Sequence, residues 1–480
     1  MNGAPHLDAD GFRRLGHRAI DWIADYWAGV GSRPVLSPVA PGDIARRLPD
    51  AAPDRGEPFD LLLDDLTGLL DGVTHWQHPR FFGYFPANSS PAAVLADLLS
   101  SGIGAQGMLW TTSPTLTEVE QVVTDWLATA MGLPTDFTHA AGGPGGGVIG
   151  DTASTGTMTA LLAALHRASG GRYRDVGSAG TRYTVYASTQ AHSSVLKATI
   201  LTGLGQAALR LVDVDPATQR LDVDALRALI AEDVAGGAVP VMIVAAVGTT
   251  STGAIDPTDE MADIAAQFDC WLHVDAAWAG VAAICPEHRS VLAGVERADS
   301  VVTNPHKWLL TTFDCSVMWV RDRAPLVGAM SVLPEYLRNA ASDSGEVVDY
   351  RDWHPQLGRR FRALKLWAVL RTYGVRGLRA HLRTSIAQAA RFEQALTGDN
   401  RFELLVPRSL SLVVFALAKE ATTRAVLERV NNSGAAFLTH TVVEGRFALR
   451  LATGGWLTTD ADIDQAWDVI RSAADAEGTS

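Results

Sequence analysis

The chain has 480 residues, 47% of them hydrophobic and 19% charged, with a formal net charge of −13. It is too long for one simple core, and the composition predicts two or three structural units in a compact, largely α/β protein. Nucleic acid and anionic membranes reward clustered Lys and Arg, so an acidic chain excludes both as main partners and points to a small molecule. The three cysteines, Cys270, Cys285 and Cys315, are widely spaced and odd in number, which fits reduced thiols rather than a disulfide frame or a zinc site. None of the thirteen histidines forms a HExxH-type pair, so no metal is expected. The N-terminus carries charges where a signal peptide needs an apolar core, and no run is long and apolar enough to span a bilayer. The expected location is cytoplasmic.

The first predicted element is an amphipathic helix in "FRRLGHRAIDWIADYW". Leu15, Ile20, Trp22, Ile23, Tyr26 and Trp27 fall at roughly helical spacing with Arg and Asp mostly between them. Two readings stay open for it: a helix packed on its own domain, or an arm that forms a dimer. "SRPVLSPVAPGDIARRLP" follows as an extended, Pro-rich connector. These segments make residues 1–90 an N-terminal helical arm.

In "GGGVIGDTASTGTMTALLAALHRA" Gly145 to Gly147 lead a short apolar turn into a helix whose N-terminus lies near Thr152. Free amides there, with the Ser154 hydroxyl, would hold a phosphate, although glycine richness alone mostly marks a flexible turn. The stretch is neither a Walker A loop nor a GxGxxG following a strand. From Tyr183 onward, "YTVYAS", "VPVMIVAAVGTT", "CWLHVDAAWAG", "ADSVVTNPHK" and "SVMWV" read as buried strands, with "VDALRALIAEDV" and "PTDEMADIAAQF" as intervening helices. Alternation of this kind predicts βαβ units and a mainly parallel sheet with helices on both faces. Residues 91–375 form this large unit. The stretch from 331 to 353 has little periodicity, and so long a loop is functional or disordered. The pattern changes near residue 375, and strand-like "SLSLVVFAL" and "RFALRLATGG" make 376–480 a smaller C-terminal α+β domain.

In parallel sheets, ligands bind beyond the carboxyl ends of the strands. His192, Thr249, Thr250, Asp275, Asn304, His306 and Lys307 all fall there. A lysine at a strand end among apolar neighbours has its ammonium destabilised by desolvation. That favours the neutral amine that attacks a carbonyl and makes Lys307 a Schiff-base candidate. Asp275 emerges from an apolar strand and needs a cationic partner, which a protonated pyridine nitrogen would supply. A lysine tether, a carboxylate and a phosphate anchor are what pyridoxal phosphate requires. The competing reading is a Lys307–Asp275 salt bridge with no cofactor. His192 could stack on an aromatic ring, and the small Ala277 would permit close approach on the opposite face.

The motifs "NPHKWLL" with "DCSVMW", "HVDAAWAG" with "ICPEHR", "QAHSSV", "HPRFFGYFPANSS", "DWLATAMGLP" and "DYRDWHPQLGRRFRALKLW" closely resemble the pyridoxal-phosphate-dependent aromatic L-amino acid decarboxylases. The resemblance runs from about residue 10 to the end. It implies the aspartate-aminotransferase-like fold, with a seven-stranded, mainly parallel sheet, and a homodimer with active sites at its interface. It also implies that Lys307 tethers the cofactor, Asp275 binds the pyridine nitrogen, and His192 stacks on the ring with Ala277 opposite. Ala153 and Ser154 would hold the phosphate with Asn304 and His306, with Thr249 nearby. Tyr336 takes the place of a tyrosine on a mobile loop that closes over substrate.

Aldehyde-forming relatives replace that tyrosine by phenylalanine or the histidine by asparagine, and this chain keeps Tyr336 and His192. A silent scaffold would have lost Lys307 or Asp275. Gly358 in "QLGRR" stands where plant relatives acting on tryptophan carry glycine and those acting on phenolic amino acids carry serine. Broad animal enzymes also carry glycine, so the lean is toward tryptophan over a range that includes dopa, tyrosine, phenylalanine and 5-hydroxytryptophan. Trp76, Tyr84, Phe85 and Pro86 are expected to line the substrate pocket, and packing alone would also explain their apolar character. Trp278 departs from the tyrosine that many relatives have after "HVDAA", and Ala87 from the threonine of animal relatives.

Overall fold

The computed structural model describes residues 7–140, 142–332, 341 and 347–478. The chain opens with α1 (Ala9–Gly29), capped by the Asp8 carboxylate, which accepts from the Gly11 N–H. α2 (Phe59–Gly68) and α3 (Pro91–Ile103) follow, α3 starting with Ser90 as N-cap and Pro91 at its first position. All three helices leave apolar side chains uncovered within one chain. Phe12 is 64% exposed, Leu62 57%, Leu99 62% and Ile103 61%.

The large sheet has seven strands: β1 (Gly146–Gly150), β2 (Tyr183–Ser188), β3 (Leu209–Val212), β4 (Val239–Ala246), β5 (Trp271–Asp275), β6 (Ser300–Thr303) and β7 (Ser316–Val320). Their order is β1-β7-β6-β5-β4-β2-β3, and β7 runs antiparallel to both of its neighbours while the other pairs are parallel. The central strands are near-continuous apolar runs because helices cover both faces. α4 (Pro114–Met131) lies against β1 on one side, and α5 (Ala153–Ala168) packs across the strands on the other.

Of the three glycines expected to lead a turn, Gly146 and Gly147 instead open β1, with Gly145 just before it. A Cβ on Gly147 would lie 2.7 Å from both the Thr124 Cβ and the Trp319 ring, so glycine lets this edge strand fit between α4 and β7.

A four-stranded antiparallel sheet of β8 (Phe402–Leu404), β9 (Leu412–Leu417), β10 (Thr439–Val443) and β11 (Arg446–Ala452) follows in the order β10-β11-β9-β8. The helix Ala363–Thr397 runs through position 375, and its backbone leaves helical values only at Gly374, where φ is +61°. The segment around Phe82 joins the small sheet's edge. Its N–H donates to the Phe437 carbonyl at 2.9 Å, and its carbonyl accepts from Ala452 at 3.0 Å. Among the described residues no helix is long and apolar enough to cross a membrane. Cys270, Cys285 and Cys315 are free and buried.

Candidate active site

Backbone bonds between neighbouring strand ends bring remote residues to one place. Val247 N–H donates to the Asp275 carbonyl at 2.8 Å, Ala276 N–H to Val302 at 2.9 Å, and Asn304 N–H to Ala277 at 3.0 Å. Beyond these ends lies a cavity of about 220 Å³. Its walls include Ala153, Ser154, His192, Thr249, Asp275, Ala277, Asn304, His306 and Lys307, so the fold gathers every expected cofactor residue. Phe85 and Trp278 line the same space and stack on each other with ring centroids 4.2 Å apart.

Burial pushes the Lys307 ammonium below the ordinary lysine range, while the Asp275 carboxylate opposes the shift. Among the described residues no ion pair within hydrogen-bonding reach joins the two, and Asp275 acts on Lys307 through its charge alone. The Asp275 Oδ1 accepts from the Ala277 N–H at 3.1 Å. His192 is held by its Nδ1, which accepts from the Ser194 N–H at 3.2 Å and meets the Ser194 hydroxyl at 2.9 Å. In the neutral ring the proton therefore sits on Nε2. Burial lowers His192 below its ordinary value, Lys307 and Lys197 add to the shift, and Asp275 opposes it. His306 is pushed down to about 3, chiefly by burial and then by Lys307, and its Nδ1 accepts from the Cys315 N–H at 2.9 Å. It is therefore a neutral Nε2–H donor at physiological pH.

The aromatic wall divides. Trp76, Tyr84 and Pro86 do not line the cavity: Trp76 and Tyr84 stack on each other at 5.6 Å, 41% and 52% exposed, and Pro86 is buried near Gly454. Gly358 is not brought to the Lys307 cavity of its own chain. It lines a separate 390 Å³ hollow with Ser100, Gly104, Gln106 and Arg360. Tyr336 lies outside the described residues. Sequence reasoning missed Gly248 and Phe313, which also line the cavity. Gly248 has φ +87°, and a Cβ there would come within 2.7 Å of Ala279 and Trp278; the "VGTT" glycine just beyond β4 was the available signal. Phe313 is 63% exposed and sets its ring edge-on to His306 at 4.8 Å, a contact that nothing in its sequence neighbourhood announces.

The donor set fits pyridoxal phosphate. α5 begins at Ala153 without a side-chain cap, which leaves its first amides free at the cavity beside Ser154. The Asn304 Oδ1 is buried with no hydrogen-bond partner among the described residues. Lys307 and Asp275 face the same space without pairing, so a flat ring with an aldehyde and a basic nitrogen can lie between them.

The sequence matches the pyridoxal-dependent decarboxylase conserved domain over residues 41–418. Tryptophan decarboxylase 2 of Oryza sativa subsp. japonica is 44% identical over 479 residues, 98% of this chain and 95% of that protein. Phenylacetaldehyde synthase of Arabidopsis thaliana is 43% identical over 98% of this chain and 96% of that one. The crystal structure of Oryza sativa TDC with PLP and tryptamine superposes with a TM-score of 0.95 at 42% identity, covering 99% of this chain and 100% of that one. The chain belongs to the pyridoxal-dependent decarboxylase family. It is a lyase that works with pyridoxal phosphate.

Proposed function

We propose that this decarboxylase converts an aromatic L-amino acid to the corresponding arylalkylamine and carbon dioxide, with L-tryptophan as the preferred substrate. One observation carries the reading: among the described residues no ion pair joins Lys307 and Asp275, which share a cavity walled by the stacked rings of Phe85 and Trp278. Flat apolar walls favour an aromatic side chain, and similarity to a tryptophan decarboxylase along nearly the whole chain supports an indole.

Lys307 would carry the cofactor through its amine and yield that bond to the substrate amine. Bound there, pyridoxal phosphate supplies the electron sink for the pair released when the carboxylate leaves. Asp275 would keep the ring nitrogen protonated. The first amides of α5, with Ser154, Asn304 and His306, would hold the phosphate. His192, with its proton on Nε2, and the Tyr336 hydroxyl would form the system that returns a proton to the substrate α-carbon. A homodimer fits the apolar faces of α1, α2 and α3, which one chain leaves uncovered.

Broad activity on dopa, tyrosine, phenylalanine and 5-hydroxytryptophan is the nearest alternative. Aldehyde formation is a further one, because an aldehyde synthase is almost as similar as the decarboxylases. His192 and Tyr336 favour the amine. Incubating the purified protein with a mixture of aromatic L-amino acids and identifying the products decides among these. Tryptamine should form fastest; no amine from any of them would overturn the reading.

A further inference from the structure

Lys307 sits in a four-residue helix, Pro305–Trp308, too short to fix its own height above the cavity. Its carbonyl is bonded from elsewhere: the Asn88 Nδ2 donates to it at 2.9 Å. The same Nδ2 donates to the Gly454 carbonyl at 3.0 Å, and the Asn88 Oδ1 accepts from the Trp456 N–H at 2.9 Å. Asn88 is 1% exposed, so these bonds are shielded from water. Beside them the Ser90 hydroxyl donates to the Leu310 carbonyl at 2.6 Å. Gly454, with φ +149°, packs so closely that a Cβ would stand 3.1 Å from Trp308 Cδ1. One carboxamide thus joins the N-terminal segment, the lysine and the loop that follows β11 of the small domain.

We propose that Asn88 is a positioning residue for Lys307: its carboxamide locks the lysine backbone to the Gly454–Trp456 loop and so sets the reach of the amine toward the cofactor aldehyde. The bond geometry makes a distinction possible. In Asn88→Asp the Oδ1 acceptor for Trp456 remains, but an oxygen replaces the donor and faces the Lys307 and Gly454 carbonyls. In Asn88→Ser the side chain is too short to span the partners. Both changes release the Lys307 carbonyl without touching the amine or the cavity walls.

The proposal rests on Lys307 as the cofactor tether, and the experiment tests that first. Borohydride reduction of the wild-type holoenzyme, followed by peptide mapping, should label the peptide containing Lys307; a label elsewhere overturns both the tether and the role of Asn88. The rate at which hydroxylamine strips cofactor from the holoenzyme is then compared, as loss of the yellow colour. A freed lysine backbone should raise this rate about tenfold, the factor expected from a lost buried hydrogen bond, in Asn88→Asp and Asn88→Ser alike. The kcat should fall by on the order of 10²-fold, as displacements near 1 Å do, with KM nearly unchanged. With Lys307 labelled, a variant that melts at lower temperature but keeps wild-type stripping rate and kcat shows that Asn88 only packs. A normal Asn88→Asp beside an impaired Asn88→Ser assigns the effect to the Trp456 bond and also overturns the proposal.

Discussion

Glu120 on α4 offers a quantitative test of how α4, β1 and the Arg359 segment are held together. Its Oε1 accepts from Arg359 Nη2 at 2.5 Å and from the Ile149 N–H at 2.7 Å. The two side chains are 3% and 2% exposed. Arg359 also donates to the carbonyls of Gly107 at 3.1 Å and Ile149 at 2.9 Å, and its guanidinium lies 4.6 Å from the Tyr350 ring centroid. Glu120→Ala removes the one carboxylate that, among the described residues, is ion-paired with this desolvated guanidinium, and it orphans the Ile149 amide. Breaking a buried pair costs ~3–5 kcal/mol and an unmet buried amide ~1–3 kcal/mol; the two overlap, so we expect a loss of about 4 kcal/mol. Glu120→Gln keeps an acceptor for Ile149 and should lose about 2 kcal/mol. Combining Glu120→Gln with Arg359→Met removes the stranded charge and should be more stable than Glu120→Ala, because an absent buried pair costs less than a broken one. Urea unfolding followed by tryptophan fluorescence, at fixed protein and saturating cofactor concentrations, measures the differences. A loss below ~1 kcal/mol for Glu120→Ala, the level of a solvated pair, would refute the reasoning, as would a double variant weaker than the single one.

Tyr336→Phe should keep cofactor and substrate binding, lose amine output by about 10²-fold or more, and gain aldehyde, ammonia and hydrogen peroxide under air; unchanged amine with no peroxide would place the proton donor elsewhere. Light scattering should give a dimer, and an active monomer at assay concentration would remove the interface proposed for α1 to α3. Burial holds His273 at about 4 and His306 and His354 at about 3, all below the ordinary 6.5. Because the unfolded chain then binds more protons, their contribution is complete above pH 6.5 and is lost as pH falls toward those values, at about 1.4 kcal/mol per pH unit for each. Unfolding midpoints between pH 7 and pH 5 should drop accordingly, less steeply in His354→Gln; a flat profile in the wild type would contradict the neutral, buried state.

The sequence by itself determined five strands of the large sheet and their ligand edge, but not β1 or the short β3. Apolar runs such as "VPVMIVAA" and "WLHV" satisfy a sheet buried on both faces, and the polar residue that ends each run marks where the chain leaves it. Lys307, Asp275 and His192 were legible because each is a costly polar group at or shortly beyond the end of such a run: Asp275 closes β5, and Lys307 and His192 follow β6 and β2. β1 was misread as a turn, since its Gly147 answers to Thr124 and Trp319, which approach from helix and strand remote in sequence. Only the tertiary structure separated Phe85 from Trp76 and Tyr84, residues alike in local pattern, by stacking the first on Trp278 and leaving the others half-exposed. Only it placed Gly358 in a different hollow from its own Lys307. Asn88 is a plain polar residue in sequence; its partners lie 219 and 366 residues away, and a hydrogen bond gains weight only when the fold brings its ends together and excludes water.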